Sequence, residues 1–395
     1  MTAKHDYWMK VAERQKKDSV TVKPNRGNIL SCNGEIMASS LPEYRLFIDF
    51  KAIHEAGNDS LWDTKVDSIS EGLSRMFPNR SKAEYRRYLQ KGKEKQSRRW
   101  SIYDGRVDYN TYCEVKQLPM FRLRGYTGGF YCENFDSRQH PYGSLAERTL
   151  GTLYAGKDEA KNGLEQFYDS LLRGKNGIIH RRKVLNKYLD ITDTPPTDGA
   201  DIVTTIDVNM QDLAERAVIG QLNDKDVNGL VGVAIVMEVK TGDIKAIVNM
   251  ERGADGKLYE MKNHAISDLM EPGSVFKTVS LMTVLEDGMC DTSRVVETGN
   301  GIYDMHGRPM RDHNWRHNGY GTITMARSLE VSSNIGVSRI VEDYYGKNPE
   351  KFVEGVYRTG ITTDFKLPLN GFAAAAPGCT DVVDSLEDHH LLDAA

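Results

Sequence analysis

Cysteine is scarce in this sequence of 395 residues: there are five, Cys32, Cys113, Cys132, Cys290 and Cys379. They are scattered, odd in number and never in Cys-x-x-Cys spacing, which argues against a zinc site and against a disulfide framework. Long hydrophobic runs are missing too. The longest, GLVGVAIVMEV at Gly229–Val239, is far short of the ~20 residues a membrane helix needs and reads as a buried strand. The amino-terminal stretch MTAKHDYWMKVAERQKKDS is polar and lacks the apolar core of a signal peptide. Neither sign of charge dominates: the formal net charge is -4 at pH 7, so nothing favours nucleic acid as a partner. The basic run KGKEKQSRRW at Lys91–Trp100 is interleaved with acid and reads as a solvated helix face. The histidines of Met305–His317 show no repeated ligand spacing and read as a loop, not a metal site. No internal repeat is present. The remainder is an ordinary globular composition, 39% hydrophobic and 27% charged, with length enough for two or three domains.

The texture changes along the chain. Up to about Asp193 it is mixed, charged and aromatic, with short irregular segments. TDTPPTDGAD, Thr192–Asp201, is the best linker candidate. Beyond it the pattern is regular. DIVTTID reads as a short strand, with Asp207 as the N-cap of a helix. Met210, Leu213, Ala214, Ala217, Val218 and Leu222 then give one apolar face. LVGVAIVMEV and IKAIVNM are two apolar strands joined by KTGD, a hairpin signal. Gly288 suits the end of the following helix. Residues 373–395, with an alanine run and an acidic bias, read as non-native or as the product of a disrupted reading frame.

The stretch EPGSVFKTVSLMTVLEDG, Glu271–Gly288, carries chemistry. Pro272 and Gly273 suit the turn before a helix, which places Ser274 at its N-terminus with a backbone N–H outside the intrahelical ladder. That N–H is a possible oxyanion donor. Lys277 falls three residues on, close to the same helix face, in a segment that is apolar on nearly every side. Burial disfavours its charged form and lowers its pKa. A neutral amine is a competent general base for a serine hydroxyl. The Ser274 hydroxyl and Lys277 amine are therefore expected within hydrogen-bond reach. Further on, SSN at Ser332–Asn334 falls between two helical patterns. Ser332 could relay a proton there and Asn334 hold a substrate amide, both facing the first pair across one cleft. Alone, Ser-x-x-Lys fits a helix end with a snorkelling lysine, and Ser-x-Asn fits a turn.

Together, Ser-x-x-Lys, Ser-x-Asn, the strand hairpin and the capped helix resemble the penicillin-binding transpeptidase fold, whose third motif is Lys-Thr-Gly. The upstream half agrees with class B members. KPNRGNILSCNGEIMASS (Lys23–Ser40) resembles their opening segment, with Ser31 and Cys32 in place of its Asp-Arg pair. RQHPYGSLAERTLG (Arg138–Gly151) resembles the Arg-x-Tyr-Pro block, with His140 where tyrosine is common. NGLEQFYDSLLRGKNG (Asn162–Gly177) resembles the Gly-x-Glu block and carries Glu165. The similarity is greatest to the division type. It implies an α+β protein: an elongated β-rich pedestal at 1–195, a partial transpeptidase domain at 196–372 with an antiparallel sheet flanked by helices, and the atypical tail 373–395.

The resemblance further implies a peptidoglycan D,D-transpeptidase acting on stem peptides and trapped by β-lactams, with no cofactor or metal. Ser274 maps to the nucleophile, Lys277 to its base, Ser332 to the relay and Asn334 to the substrate-amide ligand. The implied partners are divisome proteins, including a glycosyltransferase. The implied location is the periplasmic face of the inner membrane, through an amino-terminal helix not present in this sequence. KTG does occur, at Lys240–Gly242, but before the serine and in the hairpin turn. The third motif is therefore expected to be missing, and the chain inactive as it stands. The alternatives are a serine β-lactamase or D,D-carboxypeptidase on the same fold, and a non-catalytic division scaffold.

Overall fold

Ile36–Ile48 forms one strand, β1, apolar at both ends, with Met37 and Ala38 buried at one and Leu46, Phe47 and Ile48 at the other. In the computed structural model, which describes residues 19–155, 158–184, 187–268, 271–361 and 367–369 (for residue 19 and residues 181–191 the backbone alone), β1 is the spine of the first unit. The expected non-native tail lies outside the described residues. The described chain falls into two compact units that divide between Lys262 and Asn263.

Along one edge β1 pairs antiparallel with β2 (Phe130–Gln139), in register from Ser39↔Gln139 to Ile48↔Phe130. Its outer face is covered by α1 (Asp59–Met76) and α2 (Lys82–Glu94). In α1, Trp62, Val66, Ile69 and Leu73 recur at helical spacing and are buried. Ser81 and Glu84 close a reciprocal capping box at the start of α2. Trp62 meets Phe50 edge to face at 5.0 Å. Of the run Lys91–Trp100 read as a solvated helix face, only Lys91–Glu94 is helical, as the end of α2, and Trp100 begins a short strand; α1 went unremarked, because its solvated face is dense in charge.

The three upstream blocks converge. Arg26 donates to Glu165 through Nε at 2.9 Å and Nη2 at 2.6 Å. Arg138 donates to the other Glu165 oxygen at 2.6 Å, and Arg26 also reaches Asp169 at 2.8 Å. Glu165 is fully buried, so its charge is stable only because two guanidiniums enclose it.

The Thr192–Asp201 cluster is not a loose linker. Gly199 and Ala200 donate backbone bonds to Asn25 and Leu171, and Asp201 accepts from the Asn28 N–H. Ile202–Val203 then pairs parallel with Ile29–Leu30. Asp207 caps α3 (Val208–Leu222) as expected, accepting from Asn209 and Met210. The buried face of α3 is rotated from the expected one. Ala214, Val218 and Leu222 pack on Val248 and Met250, while Leu213 is 65% exposed.

The hairpin forms as read: β3 (Val231–Met237) pairs antiparallel with β4 (Ile244–Arg252). Lys240 lies in its turn, with Gly242 at φ +79, where a side chain would be strained. The far edge of β4 is paired at Glu251 and Arg252 by the short strand Leu258–Tyr259, and side chains meet the rest. Gln211 accepts from the Ile247 N–H at 2.8 Å and donates to the Ile247 carbonyl at 2.9 Å. Glu260 accepts from the Asn249 N–H. Among the described residues no strand pairs with the far side of β3. The expectation that Gly229–Val239 is a buried strand is not met: Val231, Val233, Ile235, Val236 and Met237 are exposed, because no other described element covers that apolar surface.

The second unit is mainly helical. A 3₁₀ turn at Gly273–Val275 leads into α4 (Phe276–Glu286). A short hairpin follows, β5 (Ile302–Met305) with β6 (Arg308–Arg311). Then come α5 (Met325–Glu330), α6 (Asn334–Tyr345) and α7 (Pro349–Arg358). Leu281 and Val284 of α4 join Val337, Ile340, Val341 and Tyr345 of α6 and Phe352 and Val356 of α7 in one core. The chain leaves α4 through Gly288 at φ +64. Among the described residues no helix is long and apolar enough to cross a membrane.

Candidate active site

Lys277 sits in the first turn of α4 and is 1% exposed. A lysine so placed needs partners for three N–H donors. It finds all three on one turn. Nζ donates to the Ser332 carbonyl at 2.9 Å, to Ser332 Oγ at 3.1 Å, and to Asn334 Oδ1 by a short bond. Burial pushes the amine below the ordinary lysine range, opposed by the charge of Asp312.

The turn that meets it is unusual. Ser332 links α5 to α6 with φ +50, a left-handed conformation that costs about 1 kcal/mol or more outside glycine. That conformation turns its carbonyl and its hydroxyl to the same amine. Ser333 is the N-cap of α6, accepting from the Gly336 N–H. Its hydroxyl donates to Asp312 Oδ2 at 2.8 Å, and Asp312 Oδ1 accepts from the Ile335 N–H at 3.1 Å. The Asn334 amide nitrogen donates to the Arg311 carbonyl at 2.9 Å. Both Asn334 amide atoms are thereby fixed, the oxygen toward Lys277 and the nitrogen toward the end of β6. Asp312, Ser333 and the Arg311 carbonyl were not singled out in the sequence. Their part appears only when the β5–β6 hairpin returns Arg311 and Asp312 to the start of α6.

Ser274 is placed differently from expectation. It stands in the 3₁₀ turn before α4, not in the α-helix itself, and is exposed. No hydrogen bond joins its hydroxyl to Lys277, because the amine spends its three donors on Ser332 and Asn334. The structure thus brings together Lys277, Ser332 and Asn334 and leaves Ser274 one turn away, open to solvent. Nor is α4 buried all round: Val275 is 75% and Met282 50% exposed.

The arrangement defines a class. A buried amine with a lowered pKa, bonded to a hydroxyl and an amide, with an exposed serine three residues upstream, is the set of groups that nucleophilic catalysis at serine requires. Residues 21–204 match the penicillin-binding protein dimerisation domain, and residues 232–377 match the penicillin binding protein transpeptidase domain. The chain belongs to the class B penicillin-binding proteins. It is similar to the peptidoglycan D,D-transpeptidase FtsI of Escherichia coli K12, 23% identical over 329 residues, covering 81% of this chain and 51% of that protein. The stage V sporulation protein D of Bacillus subtilis is 26% identical over 331 residues, covering 81% and 47%. Among solved structures, penicillin-binding protein 2X of Streptococcus thermophilus has the same fold, with a TM-score of 0.67, 18% identity and coverage of 93% of this chain and 56% of that one. A complex between penicillin-binding protein 2 and MreC from Helicobacter pylori gives a TM-score of 0.58 at 18% identity, covering 90% and 68%. The chain spans about half the length of the curated relatives it matches.

Proposed function

We propose that this chain carries the acyl-enzyme machinery of a peptidoglycan D,D-transpeptidase, with Ser274 as nucleophile. The observation that supports this most is the three-way attachment of the buried Lys277 amine to Ser332 and Asn334. For Lys277 to act as base it must lose a proton, and its lowered pKa favours that loss. The lone pair so exposed can then take the Ser274 proton as the serine oxygen attacks the D-Ala-D-Ala carbonyl. Ser332 Oγ, already bonded to Nζ, is placed to pass the proton on to the departing D-Ala amine. Asn334 holds the lysine by its oxygen, and its role as substrate-amide ligand follows once substrate displaces that bond. The second acyl acceptor is the amine of a neighbouring stem peptide, and β-lactams enter as mimics of the donor.

Residues 1–195 serve as the pedestal and 196–372 as the catalytic part, a division in keeping with a dimerisation match that ends at 204 and a transpeptidase match that begins at 232. Septal wall synthesis is the setting suggested by the similarity to FtsI, with the protein held at the periplasmic face of the inner membrane. The known complex of a fold relative with MreC suggests that the pedestal docks protein partners, divisome proteins and a glycosyltransferase among them. In this sequence no Lys-Thr-Gly follows Asn334. That motif would supply the cation and hydroxyl for the substrate carboxylate, so the chain alone is expected to acylate poorly.

Deacylation separates the readings. A transpeptidase keeps the penicilloyl ester for the length of an experiment, and a β-lactamase releases it within seconds. Fast turnover of penicillin by a Ser274-dependent route would replace the transpeptidase reading with the β-lactamase one. Partner binding that survives Ser274→Ala, with no acylation under any condition, would favour the scaffold.

A further inference from the structure

Asp312 is 1% exposed, and among the described residues no arginine, lysine or histidine pairs with it. A buried carboxylate with no cation in direct contact is costly. What surrounds it is the Ser333 hydroxyl at 2.8 Å, the Ile335 N–H at 3.1 Å and the positive N-terminal end of the 12-residue helix α6. Its own backbone N–H is held by the Gly301 carbonyl at 3.1 Å, which fixes the main chain that carries the carboxylate. Ser333 and Ile335 flank Asn334, and Ser332 adjoins Ser333. The contacts of Asp312 therefore bracket the turn that carries the partners of Lys277.

We propose that Asp312 is a positioning residue of the acylation site: it locks the Ser332–Asn334 turn against Lys277 and supplies the negative charge that balances the protonated amine. The inference rests on the reading of Lys277 as the base. Its electrostatic half agrees with the charge felt at the amine, where Asp312 acts against burial. Arg311 and His313, its chain neighbours, are exposed. The turn residues Ser332, Ser333 and Asn334 and the α4 residues Phe276, Thr278 and Ser280 carry no charge. Asp312 is thus the charged side chain whose field opposes burial at the amine. It keeps the proton on Lys277 at rest up to a higher pH than burial alone would allow.

The test is the titration of Lys277 in the 395-residue chain labelled with ¹³Cε-lysine, its resonance identified by loss in Lys277→Arg. Asp312→Asn should lower the midpoint. Ser333→Ala keeps the charge and removes one bond of the turn, and should leave the midpoint in place. No shift in Asp312→Asn, or equal shifts in both variants, overturns the proposal. Should Asp312→Asn fail to fold, the wild-type chain labelled with ¹³Cγ-aspartate gives the answer. Asp312 should show an inflection at the Lys277 midpoint that disappears in Lys277→Arg, and a flat Asp312 signal overturns the proposal. A Lys277 that titrates like an exposed lysine in the wild type would defeat the general-base reading separately, while the difference between variants would still report on Asp312.

Discussion

Lys277 and Ser332 are joined twice: the amine donates to the Ser332 carbonyl at 2.9 Å and to its hydroxyl at 3.1 Å. The double attachment requires the left-handed backbone of Ser332. Position and protonation are thereby linked: the charged amine donates all three bonds, and the neutral amine keeps two donors for the Ser332 carbonyl and Asn334 while its lone pair can accept from the Ser332 hydroxyl.

Acylation should follow the amine. The Lys277 pKa is lowered by burial, so the fraction of neutral amine grows at lower pH than for a free lysine. The β-lactam acylation rate of a protein with a complete site should rise with pH on a limb whose midpoint lies below the ordinary lysine value. Ser332→Ala removes the relay and should slow acylation by about two to four orders of magnitude, with the midpoint little changed. Stopped-flow quenching by a chromogenic cephalosporin, across a pH series, measures both.

A second pH effect arises in the first unit. Glu260 is 8% exposed and accepts from the backbone N–H groups of Arg148 and Asn249. Burial, aided by Glu215 and Glu147, raises its pKa to about 7. A carboxyl whose folded pKa is raised holds its proton more firmly folded than unfolded. Its contribution is complete below the ordinary carboxylate range and is lost as pH rises toward about 7. Glu260→Gln removes the titration but leaves one of the two N–H groups without an acceptor. Thermal or urea unfolding should find the wild type losing about 3 kcal/mol between pH 4 and pH 8 through this group, and Glu260→Gln, less stable at pH 4, lacking that loss.

The Arg26–Glu165–Arg138 cluster predicts a larger loss. Glu165→Gln leaves two guanidiniums facing each other with no charge between them. The expected cost is about 3–5 kcal/mol, read as a drop in the unfolding midpoint of the first unit. A drop no larger than that of an exposed pair such as Arg86–Asp67 would show the cluster to be dispensable.

Much of this was legible in the sequence, and the exceptions have physical reasons. The hairpin around Lys240–Gly242, the Asp207 cap and the helix stop at Gly288 are local, and local turn chemistry fixes them. The meeting of Lys277 with Ser332 and Asn334 was anticipated by motif spacing. The role of Asp312 was not, because a carboxylate in a polar loop gives no sign of being folded under a helix end. Ser274 was expected to touch Lys277 on the rule that i and i+3 share a face. That rule holds for geometry, but it does not say which acceptor wins the amine. The face of α3 was rotated because Gln211, a polar residue, is buried to satisfy the backbone of Ile247, which no hydrophobic pattern reveals. The Thr192–Asp201 cluster has linker composition, yet its Asp and Gly residues make turn contacts inside the first unit.

Acylation of Ser274 itself is the most direct test. A fluorescent penicillin, followed by denaturing electrophoresis and peptide mass spectrometry, locates the adduct. The 395-residue chain should label negligibly, since losing two charge-assisted hydrogen bonds to the β-lactam carboxylate, each worth ~1.5–3 kcal/mol, slows acylation by about two to four orders of magnitude. The same chain extended by a strand bearing Lys-Thr-Gly should carry one penicilloyl group on Ser274, and Ser274→Ala should carry none. An adduct on another residue, or labelling that persists in Ser274→Ala, would contradict the assignment.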